Sequence, residues 1–263
     1  MKKEMIQLTK GNMEIYDFGV LRLHAYQTND LLNDECYLLE NETEVLCIEF
    51  PAFQENIIEF ENYVKKLNKK IVGKVFSDHP NGGTIFKSSP GYASQGTIQS
   101  MEQGTIYHLV EGFKETFGSV FVSEYHQINH VLTEKNVQIG GFQLEIIYHN
   151  ENIEIKLPQI NVVYTHMMGH DCHSLMMSKE QIDMTINQLS DYVEKNYTLI
   201  LSSHYTPEMI GDVKTKIEYL NTLQKTLNTS HSKEEFMEQM KTMYPDYQGL
   251  NYLEMTANAC YKK

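Results

Sequence analysis

A mostly apolar predicted strand that runs directly into a polar, glycine-rich turn is the feature that most constrains this chain. The strand extends from Ile71 to Phe76, and the residues after it read Ser77-Asp78-His79-Pro80-Asn81-Gly82-Gly83. A turn of this kind presents side chains at the edge of a sheet, where binding and catalytic residues are common. We therefore take His79 as the first candidate for a functional residue.

The patterns on either side of this turn predict alternating strands and helices. Apolar and β-branched runs predict strands at 13–27, 36–39, 45–48, 137–148, 153–157, 161–164 and 197–201. Helical periodicity and capping residues predict helices at 57–67, 106–117, 182–193, 213–227, after Ser232 and from Asn251. Two blocks with strands first and helices after suggest two β-sheets packed face to face with helices outside. This order alone leaves several α/β and α+β arrangements open.

Composition limits the classes of partner. The chain has 263 residues and a net charge of −13, from 35 acidic and 22 basic residues. This balance repels phosphate backbones and anionic lipid, so we expect neither nucleic acid nor a membrane as partner. No repeat or composition break divides the chain, which predicts a single domain over 1–263 with 228–263 as its helical C-terminal extension.

The cysteines and the start of the chain bear on its compartment. Cys36, Cys47, Cys172 and Cys260 show no paired spacing, which is typical of reduced thiols. The segment from Met1 to Ile6 lacks the apolar core of a signal peptide. We therefore expect a cytoplasmic protein.

Four segments, in order, resemble the metallo-β-lactamase-fold hydrolases. They are the 36–49 hairpin ending at Glu49, the His79 turn, Tyr148-His149-Asn150 with the strand closing in Leu157-Pro158, and the strand leading to Ser202-Ser203-His204. The resemblance covers about residues 13–227. It implies an α/β fold, a four-layer αββα sandwich, with a metal site at the edge where the two sheets meet.

The resemblance also implies a ligand set, which this chain keeps only in part. Carried over by position, it predicts His79, His149 and His204 as ligands of one zinc or iron ion. Ser77, Asn81 and Gly82 stand where that family has His, Asp and His. The remaining residues predict a remodelled site with one ion or none, since each ion needs about three protein ligands.

A second group of polar residues lies where the family has its bridging Asp. His166, His170, Asp171 and His173 fall within eight residues. A helical turn would point the three imidazoles the same way. They are candidates for an extra ligand or for general acid–base catalysis, with Asp171 orienting one of the rings.

Most of these histidines also have a purely structural interpretation. His79 could cap a helix, His149 could be an exposed residue at a strand end, and the 166–173 segment could be a polar loop over a vestigial cleft. Two functional hypotheses follow. The first is a hydrolase-like protein acting on a small-molecule ester, thioester or similar carbonyl compound. The alternative is a non-catalytic binding or sensor protein that kept the fold and lost the metal.

Overall fold

The computed structural model describes residues 1–261, which form two compact units. The first unit comprises Met1–Met167 and Ile200–Pro207, and the second comprises Met168–Leu199 and the chain from Glu208 onward. The described residues contain two sheets and seven α-helices. The expectation of a single domain over 1–263 stays a prediction.

The first sheet has eight strands in sequence order. They are β1 (Lys2–Gln7), β2 (Asn12–Asp17), β3 (Arg22–Gln27), β4 (Glu35–Glu40), β5 (Glu44–Ile48), β6 (Lys70–Phe76), β7 (Gly91–Ser94) and β8 (His130–Leu132). Strands β1 to β5 pair antiparallel, and β5 to β8 pair parallel. Because β5 and β6 run parallel, their carboxyl ends lie at the same edge, where Glu49 and Ser77 follow them.

The second sheet has five strands. Its order is β13 (Leu199–Ser202), β12 (Val162–Thr165), β11 (Ile153–Leu157), β10 (Phe142–Tyr148) and β9 (Asn136–Ile139). Within the first unit the two sheets are in contact. The Tyr37 and Tyr164 rings meet edge to face at 6.0 Å between centroids, and the Tyr37 hydroxyl donates to the carbonyl of Ser202 at 2.6 Å.

Six of the seven helices lie at positions that the sequence patterns predict. In the first unit they are α1 (Gln54–Lys66), α2 (Gln95–Gln103) and α3 (Thr105–Phe117), and in the second unit α4 (Lys179–Lys195), α5 (Ile210–Thr229), α6 (Lys233–Met243) and α7 (Leu250–Cys260). Helix α1 buries Ile57, Phe60 and Val64 in the core beneath the first sheet. Among residues 1–261, no helix combines the length and apolar character needed to cross a bilayer.

The strands β1, β7 and β8 and the helix α2 lie outside the predicted elements. Helix α2 buries Thr97 and Ser100 instead of an apolar stripe, so helical hydrophobic periodicity does not mark it. Its N-cap is Ser94, whose hydroxyl accepts from the Thr97 amide.

Candidate metal centre

The turn at 77–79 is shaped by one buried carboxylate. Glu49 is fully buried and accepts hydrogen bonds from the backbone amides of Ser77, Asp78 and His79 at 2.8, 2.8 and 2.9 Å. It also accepts from the Tyr164 hydroxyl at 2.9 Å. Burial and the neighbouring Asp78 carboxylate raise the pKa of Glu49 to about 7. Its φ of 58° is uncommon for a residue other than glycine, and these four bonds hold it.

Three histidines from three segments meet beside this turn. His79 belongs to the turn after β6, His166 directly follows β12, and His204 follows β13. One ring nitrogen from each lies within 4.8 Å of the other two. The Ser203 amide donates to the His166 carbonyl at 2.9 Å, which keeps the ends of β12 and β13 together. We refer to His79, His166 and His204 as the histidine cluster.

Two carboxylates lie beside the Nδ1 atoms of the three cluster histidines. Asp78 Oδ1 lies 2.6 Å from His166 Nδ1 and accepts from the Asn152 side-chain amide at 2.9 Å. Asp34 Oδ1, in a residue that is 2 % exposed, lies 3.3 Å from His204 Nδ1 and 3.5 Å from His79 Nδ1. A carboxylate beside the outer nitrogen of an imidazole is the usual arrangement around metal-binding histidines, because it fixes the tautomer and raises the basicity of the inner nitrogen.

These contacts shift the pKa values of the site residues. Burial raises the pKa of Asp34 and Asp78, but the nearby imidazoles outweigh it, and both pKa values fall below their usual range. Burial lowers the pKa of His79 to about 4. For His166 the Asp78 carboxylate outweighs burial and raises the pKa.

The Nε2 atoms of His166 and His204 face each other within the cluster. His166 Nε2 lies 3.3 Å from His204 Nε2. His166 Nδ1 must carry a proton to bond the Asp78 carboxylate, and His204 Nδ1 must carry one to bond the Leu32 carbonyl at 3.3 Å. When both rings are neutral, two lone pairs therefore point at one another. A cation or a shared proton between them removes this repulsion, so the donor set fits a metal ion.

In the resembled family, four positions of the 77–82 turn carry metal ligands, and in this chain they have different roles. Only His79 joins the cluster. The Ser77 hydroxyl is tied to the backbone of Ile153, at 3.1 Å from its amide and 2.8 Å from its carbonyl oxygen. Asn81 is buried and bridges to Tyr125. Gly82 has a φ of 79°, and a Cβ there would lie 2.3 Å from the Pro51 carbonyl oxygen, so no His fits at this position without a backbone shift.

His149 lies outside the histidine cluster. Strand β10 ends at Tyr148, and a turn closed by the bond from the His149 amide to the Asn152 carbonyl at 3.0 Å follows it. The His149 side chain is exposed. The third imidazole of the cluster is instead His166, one of the residues expected to serve as an extra ligand or acid–base group.

His170, Asp171 and His173 belong to the second unit. His170 Nδ1 lies 2.8 Å from Glu208 Oε1, and His173 Nδ1 lies 3.1 Å from the Tyr219 hydroxyl. Asp171 is exposed. No helical turn aligns the imidazoles of 166–173, because the chain between β12 and α4 forms turns and a single bridge at Cys172. Their catalytic roles stay predictions.

Sequence reasoning missed Asp34 and Asn152 as site residues. Asp34 precedes β4 in a loop without a motif, and it reaches the cluster only because β4 brings it there. Asn152 comes from the turn between β10 and β11. Asp78 belongs to the same turn as His79, and its position next to that histidine is a sequence signal for a role at the site.

No family model matches the sequence, and no curated protein matches it. Solved structures do match the fold. The inverting sec-alkylsulfatase Pisa1 from Pseudomonas sp. is similar with a TM-score of 0.65 and 15 % identity over 90 % of this chain. This chain spans 48 % of that protein, about half its length.

Two further structures match over most of their own length. A metallo-β-lactamase family protein from Thermus thermophilus has a TM-score of 0.59 and 13 % identity, covering 92 % of each chain. A metallo-β-lactamase from Erythrobacter litoralis has a TM-score of 0.57 and 12 % identity, covering 83 % of this chain and 100 % of its own. The chain therefore has the metallo-β-lactamase fold, and the predicted αββα fold class is confirmed.

Proposed function

We propose that the protein is a metal-dependent, hydrolase-like protein whose histidine cluster holds one zinc or iron ion. The observation that carries this proposal is the 3.3 Å contact between His166 Nε2 and His204 Nε2, each ring having its outer nitrogen committed to an acceptor. Neutral imidazole nitrogens are ligands for zinc and for iron. The substrate class is a small-molecule ester, thioester or similar carbonyl compound.

One ion accounts for the residues better than two. The first unit supplies three imidazoles in one cluster, which is the number of protein ligands that a catalytic zinc site commonly has. The family's two-ion ligand set would also need ligands at 77, 81 and 82. The Ser77 hydroxyl is bonded to the Ile153 backbone, position 81 carries an amide in place of a carboxylate, and Gly82 has no space for a side chain.

The chain's own residues hold and orient the proposed ligands. Asp78 fixes the His166 ring, Asp34 lies against the other two rings, and Glu49 fixes the backbone that carries His79. A bound ion would supply Lewis acidity, which polarises a carbonyl group and lowers the pKa of a water molecule. The side chains of the three histidines are 14 %, 30 % and 21 % exposed, so a ligand can reach them.

A second candidate function is a non-catalytic binding or sensor protein. The loss of ligand types at Ser77, Asn81 and Gly82 favours it, because these positions now serve the architecture of the turn. This candidate predicts that removal of metal leaves the protein unchanged and that no carbonyl substrate is hydrolysed.

Thermal unfolding with and without a chelator tests the proposal. A metal bound only by the folded state stabilises it by about 2.7 kcal/mol at a hundredfold excess over Kd. Chelation should then lower the Tm by roughly 5–10 °C for a chain of this size. His166→Gln should abolish the shift, and His149→Gln, an exposed residue outside the cluster, should retain it.

Hydrolysis of a simple thioester by the same three proteins completes this test. We expect zinc- or iron-dependent turnover in the wild type and in His149→Gln, and its loss in His166→Gln. A chelator shift that persists in His166→Gln would contradict the proposed ligand set. Metal binding without any turnover would contradict the hydrolytic part of the proposal.

A further inference from the structure

The histidine cluster is surrounded by negative charge. Asp34 is buried and the Asp78 side chain is 8 % exposed, and each lies against an imidazole of the cluster. Glu49 is buried directly beneath the turn that carries His79. A ligand that contacts the exposed face of the cluster is therefore separated from at least two carboxylates by no more than an imidazole ring.

No cationic side chain of the described residues balances these carboxylates through an ion pair. The lysine and arginine ion pairs of the first unit involve other acids, namely Glu14, Asp17, Glu40, Glu55, Glu61, Glu111, Glu124 and Glu145. The buried amine of Lys74 donates to the Phe86 carbonyl and to His126 instead. Within residues 1–261, the only ion-pair partners of Asp34 and Asp78 are the histidines themselves.

Metal binding does not reverse this balance. A divalent ion held by three neutral imidazoles adds two positive charges, and the carboxylates of Asp34 and Asp78 cancel both. Glu49 adds further negative charge whenever it is ionised. An anionic substrate would therefore meet a site without net positive charge, although an anion in a poorly solvated site needs a cationic partner.

We infer that this site takes an uncharged or cationic acyl compound and discriminates against substrates that carry a carboxylate, phosphate or sulfate group. Asp34 and Asp78 are the residues that set this preference. The inference rests on the proposed function, because it concerns the substrate of the same site. It also separates this chain from the alkylsulfatase with which it shares a fold, since sulfate esters are anionic.

Three acetyl thioesters with the same two-carbon spacer between sulfur and end group test the inference. They are acetylthiocholine, which is cationic, its uncharged 3,3-dimethylbutyl analogue, and an anionic S-acetyl-3-mercaptopropionate. For the zinc-loaded protein we expect kcat/KM for the uncharged and cationic compounds to exceed that for the anion by about tenfold, the factor that 1.4 kcal/mol supplies. Equal or faster turnover of the anion would overturn the inference.

A binding measurement gives a readout that does not depend on turnover. Titration calorimetry of the same three compounds into the zinc-loaded protein should give the same order of affinity, with the anion weakest. Tightest binding of the anion, or no binding of any compound at millimolar concentration, would overturn the inference. Zinc titration into the same protein remains the separate test of the proposed metal site.

A matched pair of charge variants tests whether the carboxylates beside the cluster cause the weaker binding of the anionic thioester. Asp34→Asn removes one negative charge beside the cluster, and Glu42→Gln removes one from the exposed turn between β4 and β5. Binding of the anionic thioester should strengthen roughly fivefold in Asp34→Asn and stay unchanged in Glu42→Gln. Asp78→Asn replaces Asp34→Asn if the latter does not fold. An equal response in both charge variants would show that only net charge matters and would overturn the assignment.

Discussion

His126 links the pH of the solution to the stability of the fold. The ring is 2 % exposed and lies against Phe50 and Phe76 at 4.3 and 5.0 Å between centroids. The buried amine of Lys74 donates to its Nδ1 at 3.3 Å. Burial and the Lys74 charge lower the pKa of His126 to about 3, so the folded protein keeps this imidazole neutral under conditions in which the unfolded chain protonates it.

The expected consequence is a loss of stability in acid. At a pH between about 6.5, the ordinary histidine pKa, and about 3, the pKa of His126 in the folded protein, the unfolded state binds one more proton at this residue than the folded state. The contribution of His126 is therefore fully present above about pH 6.5 and decreases by about 1.4 kcal/mol for each pH unit below it. Urea unfolding from pH 7 to pH 4 measures this slope.

His126→Gln is the informative variant because a glutamine oxygen can accept from Lys74 but cannot titrate. We expect a lower overall stability and a shallower dependence on pH than in the wild type. His231→Gln, at an exposed histidine, should keep the wild-type slope. An unchanged slope in His126→Gln would mean that this residue does not control the acid response.

The contrast between His149 and His166 shows that a sequence pattern can predict a strand without predicting where the imidazole at its end lies. Both follow a predicted strand, and the resemblance assigned the ligand role to the first. The position of an imidazole at the end of a strand depends on the turn that follows, which is local geometry without a sequence pattern of its own. Here the bond between the His149 amide and Asn152 turns the chain away, whereas His166 is held by Ser203 and Asp78.

At the scale of elements, the 77–79 turn depends on a carboxylate from the neighbouring strand. Three successive amides donate to Glu49, and without it the buried Ser77 amide and the half-buried amides of Asp78 and His79 would lose this acceptor. The sequence resemblance placed Glu49 correctly at the end of its strand. It did not show the three amide bonds, because they form only when β5 and β6 pair in parallel.

Glu49→Gln should destabilise the protein by about 2–4 kcal/mol, because an amide presents one oxygen and two donors to a set of donors. It should also weaken zinc binding by roughly 10- to 100-fold through the position of His79. Chemical denaturation and zinc titration measure the two effects.

Tyr164→Phe is the matched control for this prediction. It removes the hydroxyl that donates to Glu49 and also contacts the Ser203 hydroxyl at 2.6 Å, and it leaves the three amide bonds intact, so we expect a smaller loss of about 1–2 kcal/mol. If the two variants destabilise equally, the amide bonds are not what Glu49 contributes.

The other helices and strands differ in how clearly their apolar sequence patterns predict them. Helices α1, α3 and α4 have clear apolar stripes and were predicted within a few residues. The short strand β7 begins with Gly91 and gains its place only by parallel pairing with β6 and β8. Strands of four residues whose partners are distant in sequence carry too little periodicity to be recognised alone.

For the whole molecule, the order of elements suggested two packed sheets but left several arrangements open. The four segments that resemble the metallo-β-lactamase-fold hydrolases predicted the fold, which the solved structures match. The division into two compact units could not be predicted, because the chain crosses from one to the other at Met167, Leu199 and Pro207 without a change of composition. The acidic net charge of −13 has a local counterpart in the carboxylates around the histidine cluster. Composition alone could not show that these charges collect at the candidate site.

The central claim is that His79, His166 and His204 hold one metal ion. Elemental analysis of the protein as purified, without added metal, tests it most directly. We expect about one zinc or iron ion per chain in the wild type and in His149→Gln, and close to none in His166→Gln. Equal metal content in His166→Gln and the wild type, or no metal in the wild type even after incubation with zinc, would contradict the claim.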